Sequence, residues 1–328
     1  MSKSFKKILA AIGILLIGIT AGMLLNKPIC RLVSGESELP EEPYKLSHQR
    51  GFLFINPLLD FEQNYREIPK VRLEIEKYIA ESKKQGKLQD ISVYFRHLNT
   101  GMAFSINENL KFSPASLLKV PLMIACLKQT ELNPEFLVKV VKFDFVDDSQ
   151  IVPNFRYGEP IVRGQSYTIE DLIVRLILNS DNNAGTLLLQ NVDNRILEKI
   201  YTDLEINMPW FSNMENYMTV SEYSKFMRIL YNSTYLSREM SEYALYILSL
   251  SHFDKGIKAG VEQNTTVSHK FGERDIEGVK QLHDCGIIYY DTGPCLVCIM
   301  TRGNDFAELE TVIADVTSLI TTEMASAK

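Results

Sequence analysis

FSPASLLKVPLMIACLK, residues 112–128, is the stretch from which the fold is read. A short polar entry leads into a run that is apolar nearly all round: Val120, Leu122, Met123, Ile124 and Leu127. A helix with no polar face belongs in a core. Ser116 and Lys119 are three positions apart, so on a helix they share one face, one turn from each other. Burial of a lysine disfavours its charge and makes the neutral amine accessible. A neutral amine one turn from a hydroxyl is a base for that hydroxyl. The plainer reading is a serine that opens the helix and a lysine that snorkels to water, so S-x-x-K needs company.

Working outward, residues 91–97 and 102–106 alternate around Asn99-Thr100-Gly101 and predict a hairpin. A helix is expected over 71–84, with a second opening at Thr168-Ile169-Glu170-Asp171 and running to about 179. Ser180-Asp181-Asn182 interrupts it before helix resumes over 184–189. Helices are also expected over 219–230, 238–248 and 308–321, and strands over 265–271, 285–291 and 296–301. Strands at both ends with helices between them imply an α+β domain over 70–328.

Before that domain, Lys3, Lys6 and Lys7 precede residues 8–25, eighteen positions without a charge. That length just spans a bilayer, and the lysines orient its start to the cytoplasm. An uncleaved transmembrane anchor is favoured over a signal peptide because no small-x-small cleavage site precedes Asn26. The expectation is a cytoplasmic tail at 1–7, an anchor at 8–25, a linker and strap over 26–69, and an extracytoplasmic domain. Residues 52–60, apolar again, are the strap. A net charge of −6 excludes nucleic acid as a partner. Five cysteines with irregular spacing leave a Cys285–Cys295 bridge open without demanding it, and Cys295-x-x-Cys298 has no second pair for a metal.

Three short motifs fall in order: Ser116-x-x-Lys119, Ser180-Asp181-Asn182 and Lys270-Phe271-Gly272. Together they resemble the serine β-lactamases of class A and the related penicillin-binding proteins, over about residues 70–325. The resemblance implies a five-stranded antiparallel sheet flanked by helices, an all-helical lobe and a site between them. It implies no cofactor and no metal, a small-molecule or peptidoglycan-stem substrate, and a monomer held to the membrane by its N-terminal helix. By that resemblance Ser116 is the nucleophile, Lys119 takes its proton, and Ser180 relays a proton toward the leaving nitrogen. Asn182 donates to the substrate amide, and Lys270 meets its carboxylate. Gly272 gives the substrate room, and the backbone N–H groups of Ser116 and Glu273 form the oxyanion hole. Asp181 is expected to be structural.

Two departures matter. Phe271 stands where the family has threonine, so a hydroxyl for the substrate carboxylate is missing and the ring is free to turn into the core. Between Asn182 and Lys270 the E-x-x-L-N loop of class A enzymes is not recognisable, with Glu205 and Glu215 as stand-ins for its glutamate. The implied activity is β-lactam hydrolysis. The alternatives are a D-Ala-D-Ala peptidase-like penicillin-binding protein with slow deacylation, or a silent binder of peptidoglycan stems.

Weaker candidates are set beside these. His283-Asp284-Cys285 is read as the start of a strand, with neighbours on opposite faces, and His269 as packing. Phe155 and Tyr157 are cleft walls or surface aromatics. Asp144, Asp147 and Asp148 form a solvated turn in preference to a calcium site.

Overall fold

A computed structural model describes residues 69–145, 153–208 and 215–326. In chain order the elements are α1 (Pro69–Lys84), β1 (Asp90–His97), β2 (Ala103–Ile106), β3 (Lys111–Phe112), a 3-10 turn (Ala115–Leu118) and α2 (Lys119–Leu132). Then come α3 (Glu135–Val138), β4 (Val140–Lys142), β5 (Ser166–Thr168), α4 (Ile169–Leu178), α5 (Asn182–Leu189) and α6 (Asn194–Asp203). The chain closes with β6 (Met218–Thr219), α7 (Val220–Tyr231), α8 (Arg238–Ser249), a second 3-10 turn (Lys258–Gly260), β7 (Thr266–Ile276), β8 (Val279–Tyr289), β9 (Cys295–Gly303) and α9 (Phe306–Ser326).

Five strands form one antiparallel sheet in the order β2-β1-β9-β8-β7. Alternation along the strands divides its side chains between two cores. Val93 and Phe95 of β1 and Val297 and Ile299 of β9 face α1 and α9. Tyr94, Leu296, Cys298 and Met300, from the same strands, face the helices on the other side. Both faces are covered, which is why the strands read as nearly continuous apolar runs. α2 lies at the centre of the helical side, with Val120 to Leu127 buried without interruption. Pro121 is tolerated because the first helical turn has no N–H partner to lose.

The strands at the C-terminal end are longer than their apolar segments predict. β7 and β8 continue to a two-residue turn, Glu277-Gly278, with φ of 51° and 84°. Both central residues at positive φ is the hairpin turn whose twist matches antiparallel strands. His283 and Asp284 therefore sit inside β8, not at its start. The lobe beside the sheet is not all-helical, since β4 and β5 pair into a ribbon within it. The cysteine bridge left open by the sequence is not formed. Cys126, Cys285, Cys295 and Cys298 are free and buried, and Cys285 lies opposite Cys298, while Cys295 pairs with Ile288.

The expected tail, anchor, linker and strap lie outside the described residues. Among the described residues no helix is long and apolar enough to cross a membrane. Asp144 pairs with Lys142 at 3.0 Å, and Asp147 and Asp148 lie outside the described residues. No metal-holding cluster occurs among the described residues.

Candidate active site

The three motifs meet at junctions between elements. Ser116 sits in the 3-10 turn, and Lys119 opens α2 with its backbone N–H on the Ser116 carbonyl. The residue before the serine, Ala115, has φ of 48°. Ser180, between α4 and α5, has φ of 55°. Left-handed backbone at a residue with a Cβ costs of order 1–3 kcal/mol, and it persists only where the surroundings impose it. At Ser180 the imposing groups are identifiable. Asp181 caps α5, accepting from the N–H groups of Asn183 at 2.8 Å and Ala184 at 3.1 Å. Its second oxygen accepts from Ile161 N at 2.9 Å, so the expected structural role of Asp181 is what the structure shows.

Lys119 is buried and reaches across to this junction. Its Nζ donates to the Ser180 carbonyl, to Asn182 Oδ1 at 2.7 Å and lies 3.0 Å from Ser180 Oγ. Lys270, from the middle of β7, places its own Nζ 3.0 Å from the same Ser180 Oγ and donates to the Phe271 carbonyl at 2.9 Å. One hydroxyl thus bridges two amines. Burial is the main reason both amines lose basicity, and it brings Lys119 down to about 7 against opposing pulls from Asp181 and Glu273. Lys270 is pushed well below the usual lysine range, first by burial and next by Lys119. Two ammonium groups on one oxygen are mutually unfavourable, so the pair gives up protons more readily than isolated lysines.

Asn182 spends its oxygen on Lys119, which leaves its amide nitrogen as the free end at the exposed entrance. Ser116, Lys119, Ser180, Asn182 and Glu273 all line one cleft of about 1040 Å³. Lys270 does not line it. It is fully buried, and its nearest link to the cleft is the Ser180 hydroxyl. Arg274 lies on the cleft wall together with Lys119. Gly272 lies close behind the turn that carries Ser116. A Cβ there would come 2.6 Å from the Pro114 carbonyl and 3.0 Å from Leu117 N, so the glycine makes room for the turn carrying Ser116. Phe271 turns away into the opposite core and stacks on Phe253 with ring centroids 4.3 Å apart.

The side chain of Glu273 has a task the sequence did not reveal. Its two oxygens accept the backbone N–H groups of Asn154, at 3.2 Å, and Phe155, at 3.0 Å. Phe155, which lines the cleft, is held from the other side by edge contacts with Phe253, Phe271 and Phe306. Residues 153–155 are thereby tied to the edge of β7. Because Glu273 raises the Lys119 pKa, Glu273→Gln should lower it, keep the amine neutral to more acid pH, and move the rising limb of the acylation–pH profile downward. A profile that stays in place or moves to higher pH refutes this coupling.

Neither stand-in glutamate reaches the cleft. Glu205 is exposed at the end of α6, and Glu215 lies 3.5 Å from Arg274 on the outside. Leu197 and Tyr201 of α6 line the cleft instead, on a helix of which the sequence reading marks only the end, at Glu205, and not its place at the site. Their i, i+4 spacing with Ile200, behind Asp193 as cap, was the available signal. Among the described residues, carboxylates on the cleft wall come from Glu273 and Asp275. The first is engaged with residues 154 and 155, and the second accepts from Gly278 N in the β7–β8 turn. His269 is joined to Asp284 at 2.9 Å behind the sheet, and Asp284 also accepts from Ile257 N, so both are packed away from the cleft.

Comparison with known proteins bears on the fold and the family. A search of curated protein sequences finds no match. Among solved structures, the acyl-enzyme complex of a PBP-A point mutant with penicillin G has a TM-score of 0.67 at 18% identity, over 81% of this chain and 100% of that one. A β-lactamase from Sphaerobacter thermophilus has a TM-score of 0.64 at 21% identity, over 77% and 96%. A β-lactamase from Chitinophaga pinensis has 0.66 at 20%, over 79% and 100%. These establish the fold. The model of the Beta-lactamase enzyme family matches residues 71–324, which is most of the sequence. The chain therefore belongs to the Beta-lactamase enzyme family, as a serine hydrolase of lactam or amide bonds.

Proposed function

We propose that this protein forms an acyl-enzyme at Ser116 from β-lactams or related cell-wall amides, and that it releases the acyl group slowly, in the manner of a penicillin-binding protein. The observation that carries the reading is the bridge Lys119–Ser180–Lys270, with Asn182 on the same lysine. Neutral Lys119 takes the Ser116 proton as Oγ attacks the carbonyl carbon. The negative charge on the carbonyl oxygen is met by the backbone N–H groups of Ser116 and Glu273, each such donor worth about 3–4 kcal/mol in the transition state. The C–N bond then breaks. The leaving nitrogen takes a proton from Ser180 Oγ, which is resupplied from the lysine pair. Arg274 is the cleft-wall group suited to a substrate carboxylate, in place of the hydroxyl lost at Phe271.

Slow release is favoured over fast hydrolysis because the cleft-wall carboxylates, among the described residues, are already engaged. Anchoring through residues 8–25, with the domain facing outward, fits a cell-wall substrate and belongs to the same proposal. Incubation with a fluorophore-labelled penicillin tests it. The expected result is one equivalent of label on the peptide containing Ser116, persisting over many minutes. Rapid turnover without accumulation identifies a β-lactamase instead, and well-folded protein that takes no label overturns the proposal.

A further inference from the structure

The strained turn that presents Ser116 is gripped from behind at one residue. Ser113 is buried, and each of its polar groups is held by a different side chain of the β7–β8 hairpin. Its N–H donates to Gln281 Oε1 at 3.0 Å, its carbonyl accepts from His283 Nε2 at 2.9 Å, and its hydroxyl accepts from Arg274 Nη1 at 2.7 Å. The tautomer of His283 follows from its other partner. Thr301 N, which can only donate, lies 3.2 Å from His283 Nδ1, so the proton is on Nε2 and points to Ser113. Burial holds the imidazole pKa down at about 4, so the ring is neutral at physiological pH. Gln281 is itself oriented by donating to Asn216 Oδ1 at 2.8 Å.

Little freedom remains between this grip and the nucleophile. Pro114 fixes its own φ at −66°, and Leu117 N closes back onto the Pro114 carbonyl at 3.0 Å. Gly272 packs against that carbonyl so closely that a Cβ would not fit. Ala115 is left to absorb the geometry in its left-handed conformation. A strained backbone of this kind persists where its neighbours over-determine it.

We propose that His283, Gln281 and Arg274 clamp Ser113 so as to fix where the Ser116 hydroxyl sits, which makes His283 a positioning residue for acyl transfer. This rests on the reading of Ser116 as nucleophile. His283 carries most of the effect because its loss takes the donor from the buried Ser113 carbonyl and also removes the contact with Thr301 N–H.

The test compares His283→Leu, which removes both bonds, with His283→Gln, which restores a donor to the Ser113 carbonyl. Labelling by a fluorophore-labelled penicillin is resolved into a rate at saturation and an apparent affinity, and backbone hydrogen exchange is followed on the peptide covering 113–118. In His283→Leu the saturating rate should fall about 10- to 100-fold, the range for buried groups left unpaired, while affinity changes less than about threefold. Exchange over 113–118 should accelerate, and His283→Gln should recover most of both. An unchanged saturating rate in folded His283→Leu, a loss confined to affinity, or no recovery with glutamine overturns the clamp. If His283→Leu does not fold, Gln281→Met, which frees the Ser113 N–H, must show the same pattern, and an unaltered rate there is equally fatal. Should the unmodified protein take no label, the functional reading fails by itself. The clamp then stands or falls on exchange at 113–118.

Discussion

Lys119→Met should slow acylation of Ser116 about 10²- to 10⁴-fold, the usual worth of a placed general base, while Ser116→Ala abolishes labelling. The argument rests on what the amine touches. When protonated, Lys119 has three donors for the Ser180 carbonyl, Ser180 Oγ and Asn182 Oδ1, and nothing left with which to accept a proton. When neutral it keeps two donors for the two carbonyl-type oxygens, and its lone pair becomes available within the cleft it shares with Ser116. Acylation in the unmodified protein should therefore rise with pH. Below about 7 it should climb about tenfold per pH unit, and it should level off above that, since the amine loses its proton near 7. The sign is fixed by the neutral amine being the active form. A rate that falls through this range, or that survives Lys119→Met, removes Lys119 from the reaction.

The same lysine bears on stability with the same sign. Its pKa in the folded protein lies below its unfolded value, so the unfolded chain binds more protons at pH between the two. The contribution of Lys119 thus favours the fold increasingly as pH rises from about 7 toward the ordinary lysine range, and Lys270 is lowered in the same direction. Burial of these amines disfavours the fold at neutral pH, and it is also what supplies the base.

What could be read from the sequence, and what could not, divides by range along the chain. Ser116 and Lys119 were legible because one turn of helix links them, and Ser180 to Asn182 because a cap and a helix break are local signals. The sheet was legible from alternation in β1 and from the apolar centres of β7, β8 and β9. Gln281, Arg274 and the side-chain role of Glu273 were not. Each acts on a residue more than a hundred positions away, and its polar character only suggests an exposed strand end. Reading Glu277-Gly278 as a hairpin turn would have extended β7 and β8 far enough to bring all three into the sheet. Lys270 is legible as part of a motif, but its complete burial beside Ser180 follows from how the lobe packs on β7, which no motif encodes.

Once formed, the acyl-enzyme should persist, and Leu197→Glu should shorten its life about 10²- to 10⁴-fold, the range for adding a general base that activates water. α6 contributes Leu197 and Tyr201 to the lining of the cleft that holds Ser116, both nearly inaccessible to solvent. Burial raises the Tyr201 phenol well above its usual range, so it stays protonated and cannot activate water. Glu273 already accepts two backbone N–H groups, from Asn154 and Phe155, which fix its oxygens toward residues 154 and 155. A carboxylate at 197 would enter an apolar wall, where desolvation lifts its pKa toward neutrality and improves it as a base. Position 197 precedes Tyr201 by one helical turn, so the new side chain shares its face toward the cleft. The measurement is the decay of the labelled adduct after excess penicillin is removed, in the unmodified protein and in Leu197→Glu. An adduct that is lost within seconds from the unmodified protein would mean that a water-activating group is already in place. One whose lifetime is unaltered by Leu197→Glu, in folded protein, would mean that water does not attack from the α6 side.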